Sequence, residues 1–554
     1  MISRLSSLLA SLLALTLIAG CSSPPPTTAE EWAKAIPELK REKEVKDAAE
    51  ELRKLGAKDL REGKDLKPLV PTLIPLLQES YPARAAAAFL LGEIGDKAAV
   101  DPLLSAIDFS AAVSDKEASK ANGRIADALG KLKDPKSVRT LLKLTKSRDN
   151  FTALAAVQAL GEVGDPSALE PLMEIAEAEA TDPFISKNAV QAMGKIGDPK
   201  AMPTLIHMLF IERRGVSFYR ETSFAIFQVG ADAIPELIDI LDGKNKELMK
   251  WAEGQGVLEA GIYAKTAQLL GDLSDRRAIP SLRRRLKFDD TFADLKLLPP
   301  MFSAEALGRL RAKEAVGEIS KMLEEKEANA RGAYARALVM IGDQRGAQPL
   351  ADSALEGFGY DAREEALWGY ARLALKNATK TYDRIVEKNK DLKTCTAWFE
   401  GDKAAIEAEC QKRIAKLEER AAKRRPMVVA ADECGTDNAC WVKKLKDLDG
   451  KVRERAGWAL AQAADLQYLD DLLGAIQEDD LEARFAHINA LDTTLFGDND
   501  RVPEKAAAQK TVDRLNSVME DEQGKAQFIK INEDVKRLAL KVQRALDDAA
   551  KAAG

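Results

Sequence analysis

Leu160-Gly161-Glu162-Val163-Gly164-Asp165-Pro166 reads as a tight turn between two helices. Before it, Ala155, Ala156 and Ala159 recur at helical spacing, and after it Ala168-Leu169-Glu170-Pro171-Leu172-Met173 opens a second apolar stretch. Gly164 can take the left-handed conformation that closes a helix. Asp165 is an N-cap acceptor for the next helix, and Pro166 suits its first position, where no amide hydrogen is needed. The small residues before the turn, Gly161 among them, let two helices approach closely. Aspartates in this setting are structural rather than catalytic or metal-binding.

The motif returns along the chain. Leu91-Gly92-Glu93-Ile94-Gly95-Asp96, Leu129-Gly130-Lys131-Leu132-Lys133-Asp134 and Met193-Gly194-Lys195-Ile196-Gly197-Asp198 are close copies. Weaker ones lie at Phe227–Gly230, Gly271–Asp275, Gly308–Arg311 and Ile341-Gly342-Asp343. The second-glycine position falls at 95, 133, 164, 197, 230, 274, 311 and 342, in steps of 38, 31, 33, 33, 44, 37 and 31. One repeat is helix, tight turn, helix. A single such pair cannot bury its apolar face alone, so neighbours must stack into one continuous core. The pattern resembles the HEAT-repeat family in its short bacterial, phycobilisome-lyase form, over roughly residues 65–375, with a further copy at Val452–Leu472. That resemblance implies an all-α, right-handed superhelical α-solenoid of HEAT-like helix pairs, binding a protein partner along an extended face, usually the second helices. Lyase activity does not carry over, because no matching cofactor-handling residues are present.

The amino terminus reads differently. Met1–Arg4 is a short positive start, and Leu5 to Ala19 is a mostly apolar run too short for a comfortable span of about 20 residues. It ends Leu17-Ile18-Ala19-Gly20-Cys21, small residues before a cleavage point, and resembles the bacterial lipobox. The resemblance implies cleavage before Cys21, acylation of that cysteine with palmitate-type chains, and a membrane anchor. Ser22-Ser23-Pro24-Pro25-Pro26-Thr27-Thr28 follows as a tether. By the enterobacterial sorting rule, Ser22 directs an exported, lipid-anchored cell-envelope protein to the outer membrane. The expected organisation is signal peptide 1–20, lipidated cysteine and tether 21–30, repeat solenoid 31–375, atypical helical insertion 376–440, further repeats 441–500, and capping helices 501–554. Residues 242–265 and 284–303 enlarge repeats and read as loops, and residues 376–440, with a charged helical stretch over Ala404–Arg425, read as a protruding helical hairpin between two solenoid blocks.

Cys395, Cys410, Cys434 and Cys440 cluster in the insertion. In an exported chain this even set reads as two disulfides, with three possible pairings. Cys395–Cys410 with Cys434–Cys440 is favoured, because the second pair brackets a short turn-rich loop. A zinc site is the alternative, but the usual close cysteine pair is missing.

Catalytic signatures are scarce. The 554 residues hold two histidines, His207 and His487, and neither HExxH, a GxxxxGK[ST] loop nor GxSxG occurs. The acid pairs Asp289-Asp290, Asp470-Asp471 and Asp479-Asp480 sit in solvated helix-end contexts. No cofactor, metal or catalytic residue is expected. A formal charge of −6 lacks the basic excess of a nucleic-acid binder. The expected function is a noncatalytic protein-binding scaffold; the alternative is an enzyme or enzyme subunit with its site in 376–440. Arg213, Arg214, Arg283 and Arg285, on or beside second helices, are the candidate partner-binding residues. Stacked repeats would align them into a basic stripe for an acidic partner.

Overall fold

Helix, left-handed turn, helix is the building unit in both compact parts of the chain, one ending at Val229 and the other beginning at Gly230. The computed structural model describes residues 26–110, 114–288, 295–325, 327–357, 360–499, 501–522 and 529–553. The signal segment and Cys21 lie outside these residues.

In the first unit the first helices of successive repeats are Tyr81–Ile94, Lys116–Leu132, Asn150–Val163 and Pro183–Ile196. Their partners are Val100–Ser105, Val138–Leu144, Leu169–Glu177 and Met202–Phe210. Gly95, Gly164 and Gly197 close the first helices at φ 75°, 72° and 71°. Lys133 makes the same turn at φ 50° without being glycine. Asp165 accepts the Ser167 amide at 2.8 Å and caps a single 3-10 turn, Pro166–Ala168, which runs on into the second helix. Asp96, Asp134 and Asp198 repeat this cap on the amides of Ala98, Lys136 and Lys200.

The first glycine of each motif explains how repeats stack. A Cβ on Gly92, Gly130 or Gly161 would lie 2.8, 2.9 or 2.8 Å from the Cα of Ala128, Ala159 or Ala192 in the next first helix. No side chain fits there, so first helices rest backbone against backbone on their successors. Leu91, Leu129, Leu160 and Met193 fill the core behind them, fully buried. Strand is confined, among the described residues, to a hairpin of Glu212–Arg213 with Val216–Ser217, turned by Arg214 and Gly215, both at positive φ.

The second unit continues with first helices Glu259–Leu273, Leu298–Arg309, Ala328–Ile341 and Tyr360–Leu373. Residues 242–265 are not simply a loop: helix Lys246–Gly254 fills part of them. The charged helical stretch expected over Ala404–Arg425 belongs to one helix of 32 residues, Lys403–Cys434, and this helix does not protrude as expected. It packs on Ala378–Asn389, Tyr360–Leu373 and Gly450–Ala463, burying Leu417, Ala421, Met427, Val428 and Ala431. Its few apolar residues suffice because its charges find partners, Arg420 on Glu364 at 2.9 Å and Arg425 on Asp383 at 2.8 Å.

This unit then turns back on itself. Val339, Trp458 and Ala486, from first helices Ala328–Ile341, Gly450–Ala463 and Leu481–Phe496, form one buried cluster. First helices therefore face inward here, where second helices were expected to line the inner side. The chain's last helix, Ile529–Ala553, also returns to this unit. Its Arg537 bonds Asp272, and its Lys541 pairs with Asp492 at 2.7 Å, beside Arg311 on the same carboxylate at 2.5 Å.

Candidate functional site

A groove of about 710 Å³ runs along the inward-facing first helices of the second unit. Met301, Ala328, Asn329, Gly332 and Arg336 line one side, with Glu364 and Glu365 at its floor. The long helix forms the other wall with Glu409, Lys412, Arg413, Lys416 and Arg420, all on one face by helical spacing. Three of the five basic side chains in the groove are already held: Arg336 on Glu305 at 2.6 Å, Arg420 on Glu364 at 2.9 Å and Arg413 on Glu409 at 3.0 Å. Arg413 also lies 5.0 Å over the Phe399 ring. Lys412 and Lys416 are exposed, one helical turn apart, and neither makes an ion pair with a described residue.

The groove wall is stapled from behind. Cys410, fully buried on the long helix beside Glu409 and Lys412, is joined to Cys395 on helix Leu392–Thr396, Cα to Cα 5.8 Å. Cys434, which ends the long helix, is joined to Cys440 at 5.4 Å. Next to that link Trp441 donates to the Gly435 carbonyl at 2.9 Å, and Arg455 stacks on its ring at 4.8 Å. Burial pushes the Arg455 guanidinium down to about 9, which leaves it charged at neutral pH.

A second cluster of charge lies deeper. Oxygens of Glu454, Asp480 and Glu482 come within 4.8 Å of one another, a spacing that suits a cation. Lys451 stands among them, its side chain 4% exposed, at 2.9 Å from Glu454, 3.5 Å from Asp480 and hydrogen-bonded to Glu482. Arg372 adds a contact of 2.6 Å to Glu454, and Arg424 reaches Glu482 at 3.5 Å. The ammonium thus supplies the positive charge that these carboxylates need. Burial pushes the Glu482 carboxyl up, but Lys451, Arg372 and Arg424 outweigh it and hold it down at about 2. The residues fit a structural ion network better than a metal centre.

Of the four arginines singled out from the sequence, Arg213, Arg283 and Arg285 have internal partners. Arg213 donates to the carbonyls of Ala176, Glu177 and Ala178 at 2.7, 2.6 and 3.3 Å. Arg214 occupies a left-handed turn position at φ 52°. Arg283 makes a bidentate pair with Glu318 at 2.8 and 2.9 Å. Arg285 donates to the Leu241 carbonyl at 2.5 Å and stacks 3.5 Å over Tyr263. Arg213 and Arg214 belong to the first unit, Arg283 and Arg285 to the second. Of the histidines, His487 is fully buried, its ring nitrogens 3.0 and 3.2 Å from the Ala475 and Arg453 carbonyls.

Sequence reasoning missed a set of arginines at the fourth residue of first helices. Arg84 donates to the Ala106 and Glu79 carbonyls, Arg363 to Gly357, and Arg453 to Asp447 and, in two bonds, to Glu478. Arg484 pairs with Glu522 in two bonds of 2.7 Å, both side chains buried. Each ties a first helix to the loop before it or to the element beyond. The signal was their constant offset from the helix start, as in Tyr81-Pro82-Ala83-Arg84 and Leu481-Glu482-Ala483-Arg484.

Residues 70–150, 109–183, 152–212 and 301–371 match the HEAT repeats, so both units carry HEAT repeats. No curated protein matches the sequence. Among solved structures, yeast importin-β (Kap95p) is similar at 12% identity, over 94% of this chain and 76% of that one, with a TM-score of 0.42. The CpcE–CpcF complex of phycocyanin lyase from Nostoc is similar at 20% identity, over 46% and 93%, TM-score 0.23. Human deoxyhypusine hydroxylase is similar at 19% identity, over 49% and 95%, TM-score 0.21. These likenesses are of fold. No helix among the described residues is long and apolar enough to cross a membrane.

Proposed function

We propose that this chain is a noncatalytic scaffold of the bacterial cell envelope, lipid-anchored through Cys21 and exported to the outer membrane, that holds a protein partner along the first helices of its second unit. The observation that carries the reading is the groove between helix Ala328–Ile341 and the long helix Lys403–Cys434. Its volume falls within the roughly 300–1,000 Å³ of concave binding sites. Its walls are rigid helices cross-braced by ion pairs and a disulfide, which suits a surface that must present fixed side chains. Of the charged residues of 376–440 that line the groove, Glu409, Arg413 and Arg420 are engaged in those braces, which favours binding over catalysis there. The anchor rests on the lipobox-like Leu17-Ile18-Ala19-Gly20-Cys21 and the proline-rich tether after it.

A photo-crosslinking residue at the exposed Asn329, in the native membrane, tests the partner. One crosslinked protein in stoichiometric yield is expected, and a crosslinker at exposed Lys146, in the first unit, should miss it. Equal capture at both positions, or at neither, removes the groove from the reading. Intact mass should show loss of residues 1–20 and acyl chains on Cys21. An unmodified amino terminus ends the lipoprotein assignment.

A further inference from the structure

We infer that the groove takes an acidic peptide segment, gripped by Lys412 and Lys416; this deepens, and rests on, the scaffold reading above. The argument starts from charge. The chain as a whole carries a formal −6, yet the groove lining holds five basic and three acidic side chains. Arg336, Arg413 and Arg420 are already neutralised by Glu305, Glu409 and Glu364. What remains to meet a ligand is the pair of ammonium groups on Lys412 and Lys416, against the single carboxylate of Glu365.

Two exposed cations one turn apart repel each other mildly, and neither makes an ion pair with a described residue. Some lysines on other helices find carboxylates, as Lys195 does on Glu162 and Lys444 on Glu433 at 2.8 Å. In the groove the counter-charge is left for a partner to bring. Their stems stand on a helix fixed by the Cys395–Cys410 bond and by buried Leu417, so the two charges are presented at a set spacing.

The sign pattern also selects among anions. A phosphate polymer or nucleic acid carries charge at every unit and would be pushed away by Glu365, the acid of the lining that makes no ion pair with a described residue. A peptide can space its carboxylates to meet the two lysines and set neutral residues over the acids. Met301, Ala328 and Gly332 on the facing wall give the peptide backbone an apolar, close surface. A mixed acidic peptide therefore fits better than a uniform polyanion.

Fluorescence anisotropy on the mature protein provides the test. The probe is a labelled short peptide alternating glutamate with serine, set against the same peptide with lysine for glutamate and against polyphosphate. Binding of the acidic peptide, weakening several-fold as salt rises, is the expected result. Lys412→Glu with Lys416→Glu should weaken it by about tenfold or more, while Lys146→Glu leaves it unchanged. Circular dichroism monitors folding, and Lys412→Gln with Lys416→Gln is the milder variant if the charge reversals disturb the helix. Overturning results are no acidic-peptide binding at low salt, polyphosphate binding more tightly, or indifference to the lysine variants. If the Asn329 crosslink to a native partner persists undiminished in the Lys412→Glu/Lys416→Glu variant, this inference fails and the scaffold reading stands. If the peptide binds as described and no native partner crosslinks, the scaffold reading fails instead.

Discussion

Gly161 and Gly164 stand three residues apart in one motif and serve opposite ends. At Gly161 any Cβ would sit 2.8 Å from the Ala192 backbone, whereas at Gly164 nothing lies within 4 Å and only the positive φ restricts the residue. Asparagine separates them, because it tolerates the left-handed conformation but adds bulk. Gly164→Asn should change stability by less than about 1 kcal/mol, and Gly161→Asn should cost more than about 2 kcal/mol through overpacking. Urea denaturation of both variants checks this; equal losses would refute the close-approach account. Glu482 gives a pH test at the same scale. Its folded carboxyl is depressed to about 2, below its ordinary range, so the ion network stabilises the fold at neutral pH. That contribution is lost as pH falls from about 4.5 toward 2, where the unfolded chain binds the proton first. Glu482→Gln should lower stability at pH 7 and flatten the acid-side loss. An unchanged slope of denaturation midpoint against pH would count against it.

The long helix shows how a weak apolar pattern can still dock. Between Lys403 and Lys416 its only buried side chain is Cys410, so the disulfide to Cys395 is its main fastening there. Farther along, Asp432 accepts the amides of Ala378 and Thr379 at 2.7 and 2.9 Å, capping a neighbouring helix from a distance. Cys395→Ala with Cys410→Ala should therefore loosen residues 403–416 while leaving 417–434 protected. The loss in stability should be about 2–4 kcal/mol, as for closing a short loop. Hydrogen exchange measured by peptide mass is the readout. Uniform protection along the whole helix in the variant would show that the bond contributes little.

Closure of the second unit depends on charges brought from far apart in sequence. Asp492 receives Arg311, from a repeat turn, and Lys541, from the final helix. Burial pushes the carboxyl up, and the two cations hold it below the ordinary range. Asp492→Ala would leave both cations facing each other with no acid between them. Removing one partner of a buried network costs about 3–5 kcal/mol, and Asp492, partly exposed, belongs near the lower figure. Scanning calorimetry should show the second unit melting earlier, with helix Ile529–Ala553 losing exchange protection first. Asp492→Asn, which keeps hydrogen-bond acceptance but not charge, should lie between wild type and alanine. An unshifted melt would place the closure in the apolar contacts of Val535, Leu538 and Val542 instead.

Local turn chemistry was readable in the chain because every part of it acts within a few residues. Gly164, Asp165 and Pro166 define a turn wherever they occur, and their recurrence at steps of 31 to 44 spells out stacked helix pairs. That fixed the all-helical repeat class, the close-packing glycines and the structural aspartates. The four cysteines pointed to two links by number and clustering, and the short turn-rich loop favoured Cys395–Cys410 with Cys434–Cys440, the pairing the structure holds. What the sequence could not supply is which residues distant along the chain would meet. Val339 with Trp458, Arg311 with Asp492, and Arg420 with Glu364 are matched by packing, not by any local rule. The same holds for the arginines: a run such as Arg283-Arg284-Arg285 looks open in the sequence, yet its side chains are taken up by Glu318, Asp242 and Tyr263. Lys412 and Lys416 differ from them only in having no such neighbour among the described residues, since a side chain's freedom is set by what folds against it.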